Sequence, residues 1–421
     1  MDQNNLHTLF FIDHILQNEQ AQKIQQIAKQ YSSEYAHIRD VSKEQADLFL
    51  SQLPSKGDGE EKVKRLYFDG CFDLMHSGHF NALRQAKELC ETLVVGVIKS
   101  DAIAKAKGPP IMTDEERLAL ASACKWVDEV VIQETYDPTI EQIDRHSCSH
   151  VAHGDDLVQT ADGKDAYQPF KDAKRMKIFK RTEGISTTDI VGRMLLMTKE
   201  VMWEEKKVFQ KQTIVEASNI NSLEIDQASI EQTLNNKILN TTRRIMQFSN
   251  NKKPKPGDKI VYIDGSFDIL HQGHVDVLRK AKELGDFLYV GVYDNETINK
   301  IKGKNYPILN LQERVLNLLA LKYVDEVIMG VPYKVNEQLI KNFKIDLIVE
   351  GTCSQKTMDD PYELPIKLGI YQQIQAVNKQ TADELIERIV SNRLRFLEKY
   401  NSRKKKEINF FENHDYKVEE I

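Results

Sequence analysis

A 32-residue stretch occurs twice in this chain, and no other feature of the sequence restricts its fold as strongly. Residues 66–97 align with residues 261–292 at an offset of 195, and 18 of the 32 aligned residues are identical. An offset of this size corresponds to a domain, whereas solenoid repeats recur every roughly 20 to 50 residues. The sequence therefore predicts two related domains, which we expect to pack about an approximate two-fold axis.

Each copy has the pattern of a strand, a glycine-bearing loop and a helix. In the first copy a short apolar run ends at Asp69-Gly70, and a helical pattern begins near His79. Further apolar runs alternate with amphipathic stretches, which is typical of a parallel sheet covered by helices on both faces. The predicted fold class is therefore α/β, with two tandem Rossmann-like domains that contain parallel sheets and are joined by a long, partly helical connector.

Changes in composition divide the chain into five segments. The residues before the first strand are polar and rich in Gln, and the stretch between the two copies is rich in Asn, Gln, Ser and Thr. We predict an N-terminal helical extension, a first domain, a connector, a second domain and a charged tail, over residues 1–62, 63–198, 199–257, 258–398 and 399–421. The basic cluster at 403–406 leaves two interpretations open, a contact with anionic lipid and a solvated helix end.

The bulk properties exclude several classes of protein. A net charge of −6 and a pI near 6.1 argue against a broadly basic nucleic-acid-binding surface, so any affinity for phosphate must be local. The five cysteines are scattered without a Cys-x-x-Cys pair, which indicates neither a zinc site nor a disulfide framework. No apolar run approaches the ~18 residues of a membrane span. We expect a cytoplasmic protein.

The loop between the first strand and helix contains His76 and His79 in a His-x-Gly-His arrangement. Such a loop lies at the carboxyl end of a parallel strand, where free backbone N–H groups and the helix dipole attract phosphate. The two imidazoles add donors for developing negative charge, and the glycine allows close approach of the backbone. An alternative is that the histidines only cap the helix, but the same arrangement recurs at His271 and His274.

The two copies differ after their fourth predicted strand. The first contains His153-Gly-Asp155 and the stretch 181–189, Arg-Thr-Glu-Gly-Ile-Ser-Thr-Thr-Asp. The second contains Glu350-Gly-Thr352, and 375–383 there reads Gln-Ala-Val-Asn-Lys-Gln-Thr-Ala-Asp, without the arginine and with one hydroxyl residue left. Guanidinium and hydroxyl donors hold phosphate groups. We therefore predict catalysis in the first domain, and a second domain that is structural or regulatory or that retains partial ligand binding.

These residues together resemble the cytidylyltransferases of phospholipid synthesis. The resemblance lies in the His-x-Gly-His loop, in Lys107 within 105–110, in the segment Trp126-Val-Asp-Glu129, and in the 181–188 motif. Two tandem copies with the motif degraded in the second are typical of the branch of this family that uses phosphoethanolamine. The resemblance covers about 63–198 and 258–398 of the chain.

The resemblance implies a reaction of CTP with phosphoethanolamine that yields CDP-ethanolamine and pyrophosphate, with Mg²⁺ carried mainly by the phosphates of CTP. The motifs contain no Ser or Cys nucleophile beside a base, which favours direct in-line attack by the acceptor phosphate. Phosphocholine or another phosphate acceptor remains an alternative, as does a non-catalytic nucleotide-binding scaffold. We expect no nucleic-acid partner and no membrane insertion; peripheral association with the endoplasmic reticulum and a homodimer stay open.

The same resemblance assigns roles to individual residues. Catalytic roles fall to His76, His79, Lys107 and Arg181. Nucleotide binding falls to Gly70, Phe72, Asp155, Ser186, Thr187 and Thr188. Contacts to the acceptor substrate fall to Asp69, Lys107 and Tyr167, and Asp73 is a candidate ligand of the metal. The second domain keeps a remnant of the site in His271, His274 and Lys302.

Several of these residues have a plain structural alternative. Lys107 could be a solvated loop lysine, and Asp155 could cap a turn instead of accepting a hydrogen bond from the cytosine amino group. Tyr167 fits either an aromatic face over the substrate ammonium or an ordinary core position. Asp73 fits either a metal ligand or a residue that orients the histidine loop.

Overall fold

The computed structural model describes residues 62–156, 158, 165–182, 185–195, 242–303, 305–351, 360–392 and 395–397. The predicted N-terminal extension, the connector up to residue 241 and the charged tail lie outside these residues, so their predicted structures stay predictions. Within the described ranges, no helix is both long and apolar enough to cross a membrane.

The first domain contains a five-stranded parallel sheet in the order β3-β2-β1-β4-β5. Its strands are β1 Val63–Gly70, β2 Cys90–Ile98, β3 Glu129–Gln133, β4 His150–Gly154 and β5 Met176–Phe179. Its helices are α1 Ser77–Glu88, α2 Ser100–Lys107, α3 Asp114–Ala123, α4 Ile140–Arg145, α5 Gln168–Asp172 and α6 Thr187–Leu195.

A helix at 242–248, here α7, precedes the second domain, which repeats the parallel sheet in the order β10-β9-β6-β7-β8. Its strands are β6 Ile260–Gly265, β7 Phe287–Val292, β8 Glu326–Met329, β9 Leu347–Gly351 and β10 Tyr371–Ile374. Its helices are α8 Gln272–Lys282, α9 Asn295–Lys302, α10 Leu311–Leu319, α11 Glu337–Phe343, α12 Glu363–Leu368 and α13 Ala382–Val390.

The strand order confirms the predicted fold class of two Rossmann-like α/β domains. In each sheet the chain moves outward in one direction from the first strand and then returns to its other side, so the order reverses beside β1 and beside β6. Ligands of open α/β sheets bind at the carboxyl ends of the strands at this switch point. Both histidine loops follow these strands directly.

Local sequence signals explain where several elements begin. Thr113 caps α3, because its hydroxyl accepts from the Glu116 amide while the Glu116 carboxylate accepts from the Thr113 amide. The first helix starts earlier than predicted, at Ser77, with His76 as its cap. Helix α2 was not predicted, and it places Lys107 at a helix end instead of within a loop.

The two domains pack through reciprocal contacts. Cys124 and Leu321 form an antiparallel bridge between the two domains. The Lys125 amide donates to the Ala320 carbonyl oxygen at 2.9 Å, and the Lys322 amide donates to the Ala123 carbonyl oxygen at the same distance. Each contact thus has a counterpart with the domains exchanged, as the expected approximate two-fold arrangement requires.

The connector helix joins this interface. The rings of Phe248 in α7 and Trp126 pack in an edge-to-face arrangement, with their centroids 5.0 Å apart. Lys125 Nζ also donates a hydrogen bond to the Phe248 carbonyl oxygen. Trp126 therefore serves packing between the first domain and the connector.

Candidate active site

The histidine loop of the first domain is fixed by a helix cap. His76 Nδ1 accepts a hydrogen bond from the Gly78 amide at 3.1 Å, which satisfies one of the free donors at the start of α1. A Cβ at position 78 would lie 2.9 Å from this nitrogen, so the close approach needs glycine. Because Nδ1 accepts, the proton of a neutral His76 must lie on Nε2, which is 3.5 Å from Thr187 Oγ1.

The two imidazoles are neutral near pH 7. Their ring centroids lie 4.1 Å apart. Burial, the neighbouring His79 ring and the charge of Arg181 hold the pKa of His76 well below its usual range. Burial, followed by the charges of Arg181 and Lys107, lowers the pKa of His79 to about 4. His79 Nδ1 is buried and has no hydrogen-bond partner within the part of the chain that the structure describes.

Asp73 anchors this loop to the segment after α2. Its two carboxylate oxygens accept from the Ile111 and Met112 amides at 2.8 and 2.9 Å. Both oxygens thus have backbone donors, which agrees with the orienting alternative. Among the described residues, no group of three His, Cys, Asp or Glu could hold a metal ion. Within those residues the carboxylates do not by themselves build a metal site, and the role of Asp73 as a ligand of a metal carried by the nucleotide stays a prediction.

Gly70 and Phe72 shape the floor of the loop. Phe72 has a positive φ of 50° and a buried ring, which packs 6.1 Å from the ring of His79. A Cβ at Gly70 would approach this ring to 3.1 Å, closer than most side chains allow. These two residues position the histidines, and their nucleotide-binding role stays a prediction.

Lys107 ends α2 beside the histidine loop. Its Nζ lies over the Tyr136 ring, 5.1 Å from the centroid, and its charge contributes to the lowered pKa of His79. Gly108, with a φ of 80°, ends the helix. The charge of Lys107 therefore acts on the histidine pair, and its catalytic role stays a prediction.

Arg181 and Asp155 meet where β4 and β5 end. Asp155 Oδ1 accepts from the Arg181 amide at 2.9 Å, and Arg181 Nη1 lies 3.3 Å from Asp156 Oδ2. The Arg181 charge lowers the pKa of both His76 and His79, so the guanidinium acts electrostatically on the histidine pair. The structure thus brings together Arg181, Lys107 and the histidine pair.

The three hydroxyl residues at the start of α6 differ in their surroundings. Ser186 is buried and caps the helix, because its Oγ accepts from the Asp189 amide at 3.1 Å and donates to the Asp189 carboxylate at 2.9 Å. Thr187 Oγ1 bridges the Asp73 carbonyl oxygen at 3.4 Å and His76 Nε2 at 3.5 Å. Thr188 follows in the first turn of this helix. Ser186 is therefore the residue that caps α6.

Asp69 and Tyr167 form a buried pair on the other side of the sheet end. Tyr167 Oη donates to Asp69 Oδ1 at 2.9 Å, and Gln133 Nε2 donates to Asp69 Oδ2 at 3.3 Å. Burial raises the pKa of Asp69. The His153 ring lies 4.5 Å from the Tyr167 ring. Sequence reasoning missed Gln133 and gave His153 no role, although both stand at strand ends of the switch-point edge.

The second domain keeps the histidine pair but surrounds it differently. The rings of His271 and His274 stack with centroids 3.7 Å apart, and burial lowers the pKa of His271 to about 3. Gln380 Oε1 accepts from the Gln272 amide at 3.1 Å, at the start of α8. The Gln380 carbonyl oxygen also lies 2.7 Å from the Cβ position of Gly273. The chain itself therefore occupies the helix start that attracts phosphate.

The structural alignment corrects one detail of the sequence comparison. Strands β5 and β10, and helices α6 and α13, correspond at the same offset of 195. Arg181 therefore corresponds to Ala376 and not to Gln375, as the gap-free pairing of 181–189 with 375–383 gave. The single retained hydroxyl, Thr381, caps α13 and is the counterpart of Ser186. At the corrected alignment, too, the second domain has no arginine at the position of Arg181.

The second domain also has an acidic residue at the start of the helix that corresponds to α6. Asp383 takes the place of Thr188, and the Tyr306 hydroxyl donates to it. The ring of Tyr306 also lies 5.0 Å from Lys302 Nζ. A carboxylate at this position repels phosphate, which makes the remnant site a poor place for a triphosphate.

Asp264, the counterpart of Asp69, is enclosed by three tyrosines. Tyr293 and Tyr362 donate to Oδ1 at 2.9 and 2.6 Å, and Tyr262 donates to Oδ2 at 3.1 Å. Burial raises the pKa of Asp264 to about 6. Tyr293 stands where the first domain has Ile98, so the phenol fills space beside the carboxylate.

Comparison with known proteins places these features in a family. Residues 67–193 and 262–403 each match the family model described as cytidylyltransferase-like. Ethanolamine-phosphate cytidylyltransferase of Dictyostelium discoideum is 45% identical over 84% of this chain and 98% of its own length. The mouse enzyme of that name is 39% identical over 85% of this chain and 93% of its own. The Arabidopsis thaliana enzyme is 42% identical over 85% and 87%. The chain therefore belongs to the cytidylyltransferase-like family, within its tandem-domain group of ethanolamine-phosphate cytidylyltransferases.

Proposed function

We propose that the chain transfers the cytidylyl group of CTP to phosphoethanolamine, in the first domain only. An oxygen of the acceptor phosphate forms a bond to the α-phosphorus, and the bond from this phosphorus to the bridging oxygen breaks, so that pyrophosphate leaves with the electron pair. The observation that carries this proposal is the meeting of the neutral histidine pair with Lys107 and Arg181 at the switch point. The names of the relatives supply the identity of the acceptor.

His76 and His79 act on the α-phosphate. Their depressed pKa values mean that each ring arrives neutral and donates one N–H to a non-bridging oxygen as charge develops there. Lys107 supplies positive charge at this site, and its ammonium group contacts both the acceptor phosphate and the triphosphate. Since both reactants are anions, this neutralisation and the alignment of the attacking oxygen account for most of the catalysis.

The leaving phosphates bind at the start of α6. Arg181 supplies a guanidinium, Thr187 and Thr188 supply hydroxyls, and the helix start supplies free amides. Ser186 keeps the helix start in position through its bonds to Asp189. The mixture of charge, hydroxyl and amide donors suits the β- and γ-phosphates.

The two ends of the substrates lie on opposite sides of the histidine loop. Asp155, held by the Arg181 amide, accepts from the cytosine amino group, a contact that uracil would not reward. Asp69 and Tyr167 lie on the side of the acceptor, where an aromatic face and a carboxylate suit an ammonium group. CTP enters as its Mg²⁺ complex, with the metal on the phosphate oxygens that it prefers.

The test is release of pyrophosphate with Mg²⁺ and CTP, with phosphoethanolamine or phosphocholine as acceptor. We expect activity with phosphoethanolamine, a loss of about 10²- to 10⁴-fold in kcat for His79→Ala, and little change for His274→Ala. An equal loss in His274→Ala would contradict the one-domain assignment. Preference for phosphocholine would change the acceptor, and no release with any acceptor would favour a nucleotide-binding scaffold.

A cytoplasmic location, peripheral association with the endoplasmic reticulum and a homodimer belong to the same proposal. The basic cluster at 403–406 lies outside the described residues. Fractionation with membranes and light scattering of the purified protein would test these expectations.

A further inference from the structure

We propose that Arg388 of the second domain is a positioning residue for the active site of the first, an inference that rests on the proposed function. Arg388 lies on α13 and reaches across the domain interface to Glu116 and Ile111. Through them it holds the segment that connects Lys107 to α3. The second domain would thereby contribute to catalysis without binding a substrate.

The contact between Arg388 and the first domain is specific. Its Nη1 and Nη2 donate to the two carboxylate oxygens of Glu116 at 2.7 and 2.8 Å, which is the bidentate geometry of strong ion pairs. Nη1 also donates to the Ile111 carbonyl oxygen at 3.1 Å. Glu116 is buried and at the same time closes the capping box of α3. One guanidinium thus fixes both the helix start and the segment before it.

The same segment is held from its other side by the histidine loop. The Ile111 and Met112 amides donate to Asp73. The Ile111 residue is therefore bonded through its amide to the histidine loop and through its carbonyl oxygen to Arg388. Between it and Lys107 stand Gly108 and two prolines, whose rings fix φ and make the short link stiff. A shift at Ile111 is therefore passed on to Lys107.

A mirror contact in the same interface provides a matched control. Arg193 on α6 donates to the two oxygens of Glu313 at 2.7 and 2.9 Å and to the Ile308 carbonyl oxygen at 3.2 Å. The amides of Ile308 and Leu309 donate to Asp268, as their counterparts do to Asp73. The two contacts match in geometry, but they hold different segments: Arg388 holds the one that follows Lys107, and Arg193 holds the one that follows Lys302. Arg193 lies in the last turn of α6, at the opposite end from the proposed phosphate site, and Glu313→Gln leaves it in place.

The first experiment compares the steady-state kinetics of Arg388→Gln and Glu313→Gln with those of the wild type. We expect Arg388→Gln to lower kcat by about 10- to 100-fold, because Lys107 is misplaced relative to the histidines, with KM for CTP changed by less than about threefold. Glu313→Gln should keep kcat within about twofold. Arg388→Lys, which keeps the charge but not the paired donors, should restore part of the rate.

The second experiment distinguishes a local effect on the segment that holds Lys107 from a general weakening of the packing between the two domains. Amide hydrogen exchange should rise at 108–113 in Arg388→Gln and at 303–310 in Glu313→Gln, with both variants still folded. Equal loss of kcat in the two variants, or unchanged exchange at 108–113 in Arg388→Gln, would overturn the inference. If the wild type makes no CDP-ethanolamine, the proposed function fails, while the exchange result still decides whether Arg388 holds this segment.

Discussion

The first and second domains present the same histidine loop in opposite surroundings. In the first, the loop faces Arg181, Lys107 and the hydroxyls of α6. His79 Nδ1 and its counterpart His274 Nδ1 are both buried and have no hydrogen-bond partner in the described ranges, so the histidines themselves do not differ in this respect. In the second, Gln380 caps the start of α8 and Asp383 stands where the first domain has Thr188. The pair of imidazoles alone therefore does not define a site for a triphosphate.

The residues that the two domains share are mostly those that shape the loops. Asp73 and Asp268 each accept from two successive amides. The buried Arg117 donates to two carbonyl oxygens, those of Cys71 and Ile98, and the buried Arg314 repeats this role in the second domain. The comparison shows that the framework and the histidine pair are shared, whereas Arg181, Thr187 and Thr188 of the proposed site for the leaving phosphates have no counterparts in the second domain.

The largest effect that would sharpen this comparison is expected for Arg181→Ala. Removing the guanidinium should lower kcat/KM by about 10²- to 10³-fold, because the developing charge on pyrophosphate loses its cationic partner. Measurement of pyrophosphate release with varied CTP would detect it. The reverse change, Ala376→Arg in an Arg181→Ala background, should not restore activity, since Asp383 and Gln380 remain. Restored activity would contradict the view that the surroundings of the second histidine pair exclude a triphosphate.

A smaller effect concerns pH, and here the two domains should behave alike. A neutral buried histidine whose pKa lies near 4, such as His79, binds fewer protons than its unfolded form at pH values between about 4 and 6.5. Its contribution to stability is therefore present above pH 6.5 and is lost as the pH falls towards 4. Urea unfolding measures the free energy of unfolding, which should fall between pH 7.5 and pH 5 in the wild type. In His79→Asn this fall should be smaller than in the wild type by about 1 to 3 kcal/mol, and His274→Asn should show the same reduction. An unchanged drop in either variant would mean that its imidazole is not buried and neutral.

The smallest effect concerns the helix caps. Ser186→Ala and Thr381→Ala should each cost about 1 kcal/mol of stability, because each removes the acceptor for an amide in the first turn. Only Ser186→Ala should raise KM for CTP, since only α6 begins beside the proposed phosphate site. Thermal unfolding and CTP titration measure the two quantities, and an equal change of KM in Thr381→Ala would place nucleotide in the second domain too.

Local patterns predicted much of this architecture. The strand, loop and helix around His76, the capping box of Thr113 and the tandem fold follow from periodicity and short-range chemistry, which sequence displays directly. The bond between Tyr167 and Asp69 could not be predicted, because it joins residues 98 positions apart. The one-residue error at Arg181 arose because the offset between the two domains changes along the chain. It is 197 at β4 and β9 and returns to 195 at β5 and β10, and the matched elements of the structure reveal this return.

The bridge between Cys124 and Leu321, with its exchanged backbone bonds, has a consequence for how this protein can evolve. In an assembly of two identical subunits, every substitution appears in both copies, so neither copy can specialise alone. Here both halves are encoded in one chain at a fixed ratio of one to one, and their association does not depend on protein concentration. The second half was therefore free to exchange phosphate-binding groups for internal ones, while the first kept a permanent neighbour.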